Sequence, residues 1–292
     1  NYFGFKTHHG PSLQPEDIAL PAPTADRTRM TFLITDNYPL DGDVLWPTEG
    51  FLLIDELPQA DNAIQKTMAH VFQERNLHGN PLKAGWTLFA TGNRQSDRSG
   101  ANRLLSHLRN RVTTLDFETS LDDWINWAID NDIRPELIGF MKFKPGMLHD
   151  FKPEMDINPT PRAWAEGVSP ILDNVPIDAE MECIAGAVGE GAASEFKAFL
   201  NVYRKLPNPD DVIANPDKHD VPEETSVKYA LSSALAYRAT TENFGNVMQF
   251  MKKMPKEYGV LVALSASRKD SNIQQTKAFI KWAIEEGAGV LL

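Results

Sequence analysis

Short apolar segments separated by helical periodicity mark the first part of the chain. Residues 51–54 are continuously apolar, residues 87–93 form a second short apolar segment ending in a polar residue, and residues 112–118 resemble a third. Such runs predict strands buried on both faces, as in parallel sheets. Apolar residues recur at helical spacing over 60–76, and 104–111 indicates a short helix. Strand, helix, strand, helix, strand predicts an α/β parallel sheet with crossover helices.

After about residue 120 the strand pattern stops and helical periodicity takes over. We predict an α/β core over 1–120, a helical lid over 121–206 and a C-terminal helical region over 207–292, with 207–224 as a Pro- and Asp-rich connector. The predicted helical segments are 121–128, 133–143, 159–172, 179–203, 225–240, 243–254 and 273–287. Alternation over 30–34 adds a hairpin strand in the first part.

Composition narrows the functional classes. The chain has 292 residues, 42% of them hydrophobic, and a net charge of −11, which argues against a nucleic-acid-binding surface. Its one cysteine, Cys183, excludes an intrachain disulfide and a cysteine-based zinc cluster, and we expect it to be buried. Neither a membrane-spanning run nor a signal peptide is evident, so we expect a cytoplasmic protein without a membrane partner.

Polar residues with complementary chemistry follow the predicted strands. Asp55 and Glu56 end the first run, Asn93 ends the second, and Arg109 and Arg111 precede the third. A strand-end Asp can hold Mg²⁺ through water, an adjacent Glu can activate or orient a water molecule, and a neutral Asn can hold that water. An arginine from a neighbouring subunit can stabilise charge in nucleotide hydrolysis. The simpler alternative for an isolated Asp-Glu pair is a strand that meets solvent.

Taken together, these segments resemble the MoxR-like group of AAA+ ATPases. The Walker B motif is matched by GFLLIDE, sensor 1 by ATGNR, the arginine-finger helix by LLSHLRNRV and the start of the sensor 2 helix by NPTPRAW. The segment ERNLHGNPLKAGW stands where the family places its pre-sensor-1 hairpin. The resemblance covers nearly the whole chain, and the order and spacing of the motifs make it more specific than any one of them.

The resemblance implies an ATP-driven remodelling motor that forms a ring, expected to be hexameric, with ATP and Mg²⁺ as cofactors. Asp55 would hold the Mg²⁺ shell, Glu56 would activate water and Asn93 would hold that water. Arg111 would act on the neighbour's nucleotide, and Arg162 would sense the γ-phosphate from the lid.

Two further expectations come from the resemblance. The family places its finger arginine in an Asn-Arg or Asp-Arg pair, so Asn110-Arg111 is favoured over Arg109, although both remain candidates. Proteins of this group often act with a partner that carries a von Willebrand factor A domain, so such a protein or another protein client is the expected partner.

One departure from the family is serious. No Gly-Lys pair occurs in the chain, so the P-loop that should precede the Walker B strand is missing. On the family pattern residues 1–10 would follow the P-loop helix, and some tens of residues would precede Asn1. The alternative is a non-hydrolysing structural or adaptor protein with a degenerate or truncated AAA+ fold. An AAA+ protein acting on DNA is disfavoured by the acidic charge.

Overall fold

The computed structural model describes residues 3–93, 106–152 and 154–285. The chain divides into two compact units, Asn1–Phe117 and Glu118–Leu292. Each unit has its own hydrophobic core. None of the helices in the described ranges is long and apolar enough to cross a membrane.

A parallel sheet forms the centre of the first unit, as the apolar runs predict. Within the described residues it has three strands in the order β1-β4-β7: β1 (Gly4–His9), β4 (Glu49–Asp55) and β7 (Gly85–Ala90). Both pairings are parallel, with His9 opposite Asp55 and Ile54 opposite Ala90. The α/β class is therefore confirmed, and β4, the most apolar run, lies in the middle.

Helix α2 (Asn62–Glu74) covers one face of this sheet. It begins at Asp61, whose side chain accepts a hydrogen bond from the Ala63 N–H, a regular N-cap. Its apolar stripe packs beneath the buried side chains of the strands, including Ile64, Met68 and Val71 from the helix and Leu52, Ile54 and Trp86 from the sheet. The predicted helix over 60–76 is confirmed with slightly shorter ends.

The other face of the sheet carries exposed aromatic side chains. Phe5 in β1, Phe51 in β4 and Phe89 in β7 are between 38% and 63% exposed, and Phe3 packs on Phe51 at a ring-centroid distance of 4.8 Å. Phe51 also contacts Phe89 at 5.2 Å. The prediction that these strands are buried on both faces is therefore wrong for the described residues, which cover only one face of the sheet.

Two antiparallel hairpins and two short helices complete the first unit. The longer hairpin pairs β2 (Ala19–Pro23) with β3 (Met30–Ile34), which confirms the strand predicted at 30–34. The shorter one pairs β5 (Asn76–Leu77) with β6 (Asn80–Pro81), at the position where the resemblance expects a hairpin. The short helices are α1 (Pro15–Ile18) and α3 (Ser106–Arg109). Of the helix predicted over 104–111, residues 104 and 105 lie outside the described residues.

The predicted third strand over 112–118 is wrong. Residues 113–120 have no regular secondary structure, and Leu115 is exposed. Strand propensity depends strongly on context, because a strand-forming sequence becomes a strand only where another strand offers its hydrogen-bonding edge.

The second unit is helical throughout its described residues. Its elements are α4 (Leu121–Asp130), α5 (Pro135–Phe143), a π-helical segment (Ala163–Val168), α6 (Ser169–Asn174), α7 (Glu180–Val188), α8 (Glu190–Tyr203), α9 (Pro209–Ala214), α10 (Thr225–Arg238), α11 (Phe244–Met251), α12 (Lys256–Lys269) and α13 (Lys277–Glu285). One hydrophobic cluster draws mainly on α4, α5, α7 and α8, and a second on α9 to α13. Residues 286 and 287 of the last predicted helix lie outside the described residues.

Several helical expectations need correction. The predicted helix over 179–203 is broken at Gly189, where φ is +84°. Helices α9 and α12 were not predicted; α12 buries small residues such as Gly259, Ala263 and Ala266, which a search for large apolar side chains passes over. Cys183 is exposed rather than buried because it lies on the outer face of α7.

Candidate functional site

Three parallel strands end at one edge of the sheet, and polar residues meet there. β1 ends at His9 and β4 ends at Asp55, while Glu56 and Thr91 are the first residues after β4 and β7. Because all three strands run in the same direction, their carboxyl ends lie side by side, which is where open α/β sheets bind ligands. The central position of β4 puts Asp55 and Glu56 between the other two strand ends.

Thr91 connects the two acidic residues. Its hydroxyl donates a short hydrogen bond to Asp55 Oδ1 and accepts one from the Glu56 N–H at 3.0 Å. The main chain of Thr91 spans the same turn, since its N–H donates to the Ile54 carbonyl at 3.1 Å and its carbonyl accepts from the Leu57 N–H at 3.0 Å. The turn after β4 is therefore fixed to the end of β7 by both side-chain and main-chain bonds.

Glu56 has an unusual backbone conformation. Its φ of +54° and ψ of +38° lie in the left-handed region, which a non-glycine residue adopts at a cost of about 1–3 kcal/mol. Its carboxylate lies 3.3 Å from His9 Nε2, and the side chain is 37% exposed. His9 Nδ1 is in turn 3.3 Å from Ser12 Oγ. Glu56 is thus held away from the strand direction, next to solvent and beside an imidazole.

Glycines let the three strand-end loops approach one another closely. A Cβ on Gly92 would meet Pro58 Cγ at 2.4 Å, so the loop after β7 requires glycine there. A Cβ on Gly10 would lie 3.0 Å from the carbonyl oxygens of both Asp55 and Glu56. The edge is a tightly interlocked set of turns, which limits the movement of the two carboxylates.

The remaining predicted site residues are less closely associated. Asn93 is exposed, two residues after Thr91. Arg109 and Arg111 are both exposed in the turn that ends α3, where the Arg111 N–H donates to the Leu108 carbonyl at 2.9 Å. Arg162 belongs to the second unit and is exposed immediately before the π-helical segment.

The helix that carries Arg162 begins as the sequence predicts. Pro161 is its first helical residue, and the Thr160 hydroxyl accepts from the Ala163 N–H at 3.1 Å. This is a regular N-terminal cap with proline at the first position. Arg162 therefore stands in the first turn of a well-capped helix.

The strand-end donors suit Mg²⁺ bound together with a phosphorylated ligand. Mg²⁺ prefers oxygen ligands, keeps several waters, and is commonly held by one or two carboxylates plus substrate phosphates. The carboxylate of Asp55 is an oxygen donor of this kind, and the Thr91 hydroxyl holds it in place. In the described ranges no group of three or more His, Cys, Asp and Glu side chains could form an all-protein metal site.

Sequence reasoning did not assign a role to Thr91 or to His9. The signal for both lies in the parallel register, because the residue opposite Asp55 in β1 is His9. That register becomes visible only when the strand order is known.

Comparison with known proteins gives little independent guidance. No family model matches the chain, and no curated protein matches it either. Among solved structures, NtrX from Brucella abortus in complex with ATP is 12% identical with a TM-score of 0.33, covering 96% of this chain. A putative ATPase from Cytophaga hutchinsonii is 13% identical with a TM-score of 0.26, covering 88% of this chain and 67% of its own. The chain spans 55% of the length of that NtrX structure. Structural similarity at these TM-scores and identities does not indicate a function, so the functional assignment depends on the site itself.

Proposed function

We propose that this protein hydrolyses ATP as a MoxR-like AAA+ motor and uses the energy to remodel or activate a protein partner. The observation that carries the proposal is the Asp55-Glu56 pair at the carboxyl edge of a parallel sheet, fixed there by Thr91. An acidic pair that merely met solvent would not need a left-handed backbone and an interlocked turn to hold it.

Each residue has a distinct task in this proposal. Asp55 would hold Mg²⁺, which would neutralise phosphate charge when bound. The Glu56 carboxylate, exposed and beside His9, is free to accept a proton from an attacking water. Asn93, on the loop after β7, orients that water without adding negative charge. Arg162 would contact the terminal phosphate from the helical unit.

Since no Gly-Lys pair of a P-loop occurs in this sequence, the proposal requires a phosphate cradle from a segment outside it. Its natural location is the edge of β7 and the exposed aromatic face, because a strand and helix placed there would complete and cover the parallel sheet. A glycine-rich loop between such a strand and helix would supply backbone N–H groups to the phosphates. We include this P-loop segment in the proposal as a condition for activity.

The competing proposal is a non-hydrolysing structural or adaptor protein that keeps the AAA+ fold. The absence of a Gly-Lys pair from the sequence favours it. The two proposals differ in one measurable property, which is ATP turnover by the protein at its natural length, called the native-length protein below.

Substitution of Glu56 tests the proposal directly. Glu56→Gln keeps the size of the side chain and removes the base, so we expect turnover to fall about 10²- to 10⁴-fold while nucleotide binding persists. Glu49→Gln, at the opposite end of the same strand, is the matched control and should leave turnover unchanged. Equal turnover in the Glu56→Gln and wild-type proteins would remove Glu56 from the mechanism, and no turnover in wild type would favour the adaptor.

A second experiment tests the ring and the trans-acting arginine. We propose a homo-oligomer, hexameric by family resemblance, in which Arg111 acts on the neighbour's nucleotide; such arginines contribute roughly 10³- to 10⁵-fold in rate. Arg111→Ala and Glu56→Gln proteins, each inactive alone, should regain partial activity when mixed. Normal turnover in Arg111→Ala would instead make Arg109 the candidate. If the mixture hydrolyses no ATP although mixed rings are shown to form, the active site is not shared between neighbouring subunits.

The partner is proposed on the resemblance alone. A protein with a von Willebrand factor A domain, or another protein client, should increase turnover when added to the native-length protein. Co-purification without any effect on turnover would favour the adaptor.

A further inference from the structure

We propose that Thr91 is a positioning residue whose hydroxyl holds Asp55 and Glu56 in their working arrangement. This inference depends on the proposed function for its catalytic meaning, but the geometry on which it stands is independent of any nucleotide. Thr91 contacts both acidic residues through one atom, Oγ1.

The direction of the two hydrogen bonds can be deduced. The Glu56 N–H can only donate, so Oγ1 must accept that bond. The single hydroxyl proton is then available for Asp55 Oδ1, which only accepts when the carboxylate is ionised. The resulting chain runs from the Glu56 amide through the hydroxyl to Asp55, and each bond polarises the next.

These two hydrogen bonds restrict each acidic residue in a different way. On Asp55 the hydrogen bond occupies one oxygen, Oδ1, and thereby fixes the orientation of the carboxylate that would hold Mg²⁺ in the proposed function. On Glu56 it acts through the backbone, because the amide bond helps to keep the residue at a φ of +54°. Left-handed non-glycine residues persist only where their surroundings hold them. One hydroxyl therefore fixes the Asp55 carboxylate and the Glu56 backbone at the same time.

The hydroxyl of Thr91 can be removed without removing the main-chain hydrogen bonds of this residue. Its N–H and carbonyl bond to Ile54 and Leu57, and neither bond involves the side chain. Thr91→Val keeps the shape and the stiff β-branched χ1 but removes the hydroxyl. Thr91→Ser keeps the hydroxyl. Thr87→Val makes the same change at an exposed position within β7, four residues before Thr91, and is the matched control.

The first measurement needs no ATP. Amide hydrogen exchange, followed by NMR, should show the Glu56 N–H of Thr91→Val exchanging up to about 10-fold faster than in wild type, the scale expected for one lost hydrogen bond. Thr91→Ser and Thr87→Val should exchange at nearly the wild-type rate. Equal Glu56 exchange in Thr91→Val and Thr87→Val would overturn the proposal.

The second measurement is turnover by the native-length protein. Residues that orient a metal ligand commonly contribute about 10- to 100-fold, so the kcat of Thr91→Val should fall by that factor. KM for ATP should change less than about threefold, since the hydroxyl does not contact nucleotide in this scheme. Thr91→Ser should recover most of the loss. A rise in KM with an unchanged kcat would overturn the positioning role. So would a Thr91→Ser variant that recovers none of the lost kcat.

The two measurements separate this inference from the proposed function. Faster exchange in Thr91→Val with no turnover even in wild type would contradict the ATPase and support Thr91 as the residue that holds the turn. Should Thr91→Val not fold, Thr91→Ala is a second hydroxyl-free variant with the same expected exchange and kcat changes.

Discussion

Glutamates Glu56 and Glu180 lie in the two units of the chain and are treated oppositely by their surroundings. The Glu180 side chain is 1% exposed and accepts hydrogen bonds from Lys197 Nζ at 2.6 Å and from Arg204 at 2.6 and 2.9 Å. Glu56 is 37% exposed and faces one imidazole nitrogen at 3.3 Å.

This difference in exposure and hydrogen bonding indicates which carboxylate is available to bind a ligand or exchange a proton. The hydrogen bonds from Arg204, with those from Lys197, lower the pKa of Glu180 and fill its acceptor positions. Such a group stabilises the fold and has little capacity left for a ligand or a proton. Glu56 keeps free lone pairs and access to water, while its position is fixed through its backbone. Glu180, whose carboxylate is buried and hydrogen-bonded by two cations, therefore has a structural role. Glu56, whose carboxylate is accessible to water, is the candidate for catalysis.

The largest expected effect on stability comes from Glu180→Gln. Removing a buried partner leaves two cations without their counter-charge, and because Lys197 and Arg204 are partly exposed we expect about 3 kcal/mol, the lower end of the usual range. Urea unfolding at pH 7 measures it, with the exposed Glu182→Gln on the same helix as control.

The pH dependence of that loss checks its origin. A carboxylate with a lowered pKa stabilises the fold above its ordinary value of 4.5, and the contribution disappears as the pH falls through its folded-state pKa. The gap between wild type and Glu180→Gln should therefore close in acid. A gap that stays constant with pH would mean that packing, not charge, is responsible.

A pair of glycine substitutions gives the next largest effect. Gly92→Ala should destabilise the first unit by about 1–3 kcal/mol, because its Cβ would overlap the stiff ring of Pro58. Gly186→Ala in α7 meets nothing within 4 Å and should stabilise the second unit by about 0.5–1 kcal/mol, through the lower backbone entropy of alanine. Thermal unfolding of both variants measures the difference. Equal shifts in Tm would show that the strand-end loops are not interlocked.

The smallest expected effect separates the two units by their response to mild acid. His8 is buried against Tyr38 at a ring-centroid distance of 4.7 Å, and burial, together with Lys6, lowers its pKa. The carbonyl of Asn37 and the charge of Asp17 act in the opposite direction.

The sign of the effect is set by these shifts. The unfolded chain takes up a proton as the pH falls below 6.5, and the lowered pKa delays protonation of folded His8 to a lower pH, so the first unit loses at most about 1.4 kcal/mol per pH unit in the range between the two pKa values. The Glu180 contribution is lost only below 4.5. Hydrogen exchange between pH 7 and 5 should show the first unit weakening earlier, and His8→Phe should remove part of that slope. An unchanged slope in His8→Phe would assign the acid sensitivity to other groups.

The elements that could be predicted from sequence are those whose own side chains define them. The run at 51–54 became the central strand, and the 60–76 periodicity became α2, because each carries enough large apolar residues to mark a buried face. Helix α12 was missed since four of its six buried residues are glycine, alanine or serine, and only Tyr258 and Val262 are large. Trp127 is exposed despite its large apolar side chain, because it lies on the outer side of α4.

The candidate site divides in the same way. By itself the sequence determined that Asp55 and Glu56 follow an apolar strand, because the apolar run ends there and a parallel strand places its last residues at the ligand-binding edge. Only the tertiary structure decided that β4 lies between β1 and β7, that His9 and Thr91 therefore flank the acidic pair, and that Glu56 adopts a left-handed backbone. Strand order and register arise from packing between segments far apart in the chain, and no local pattern of residues records which strand ends will meet.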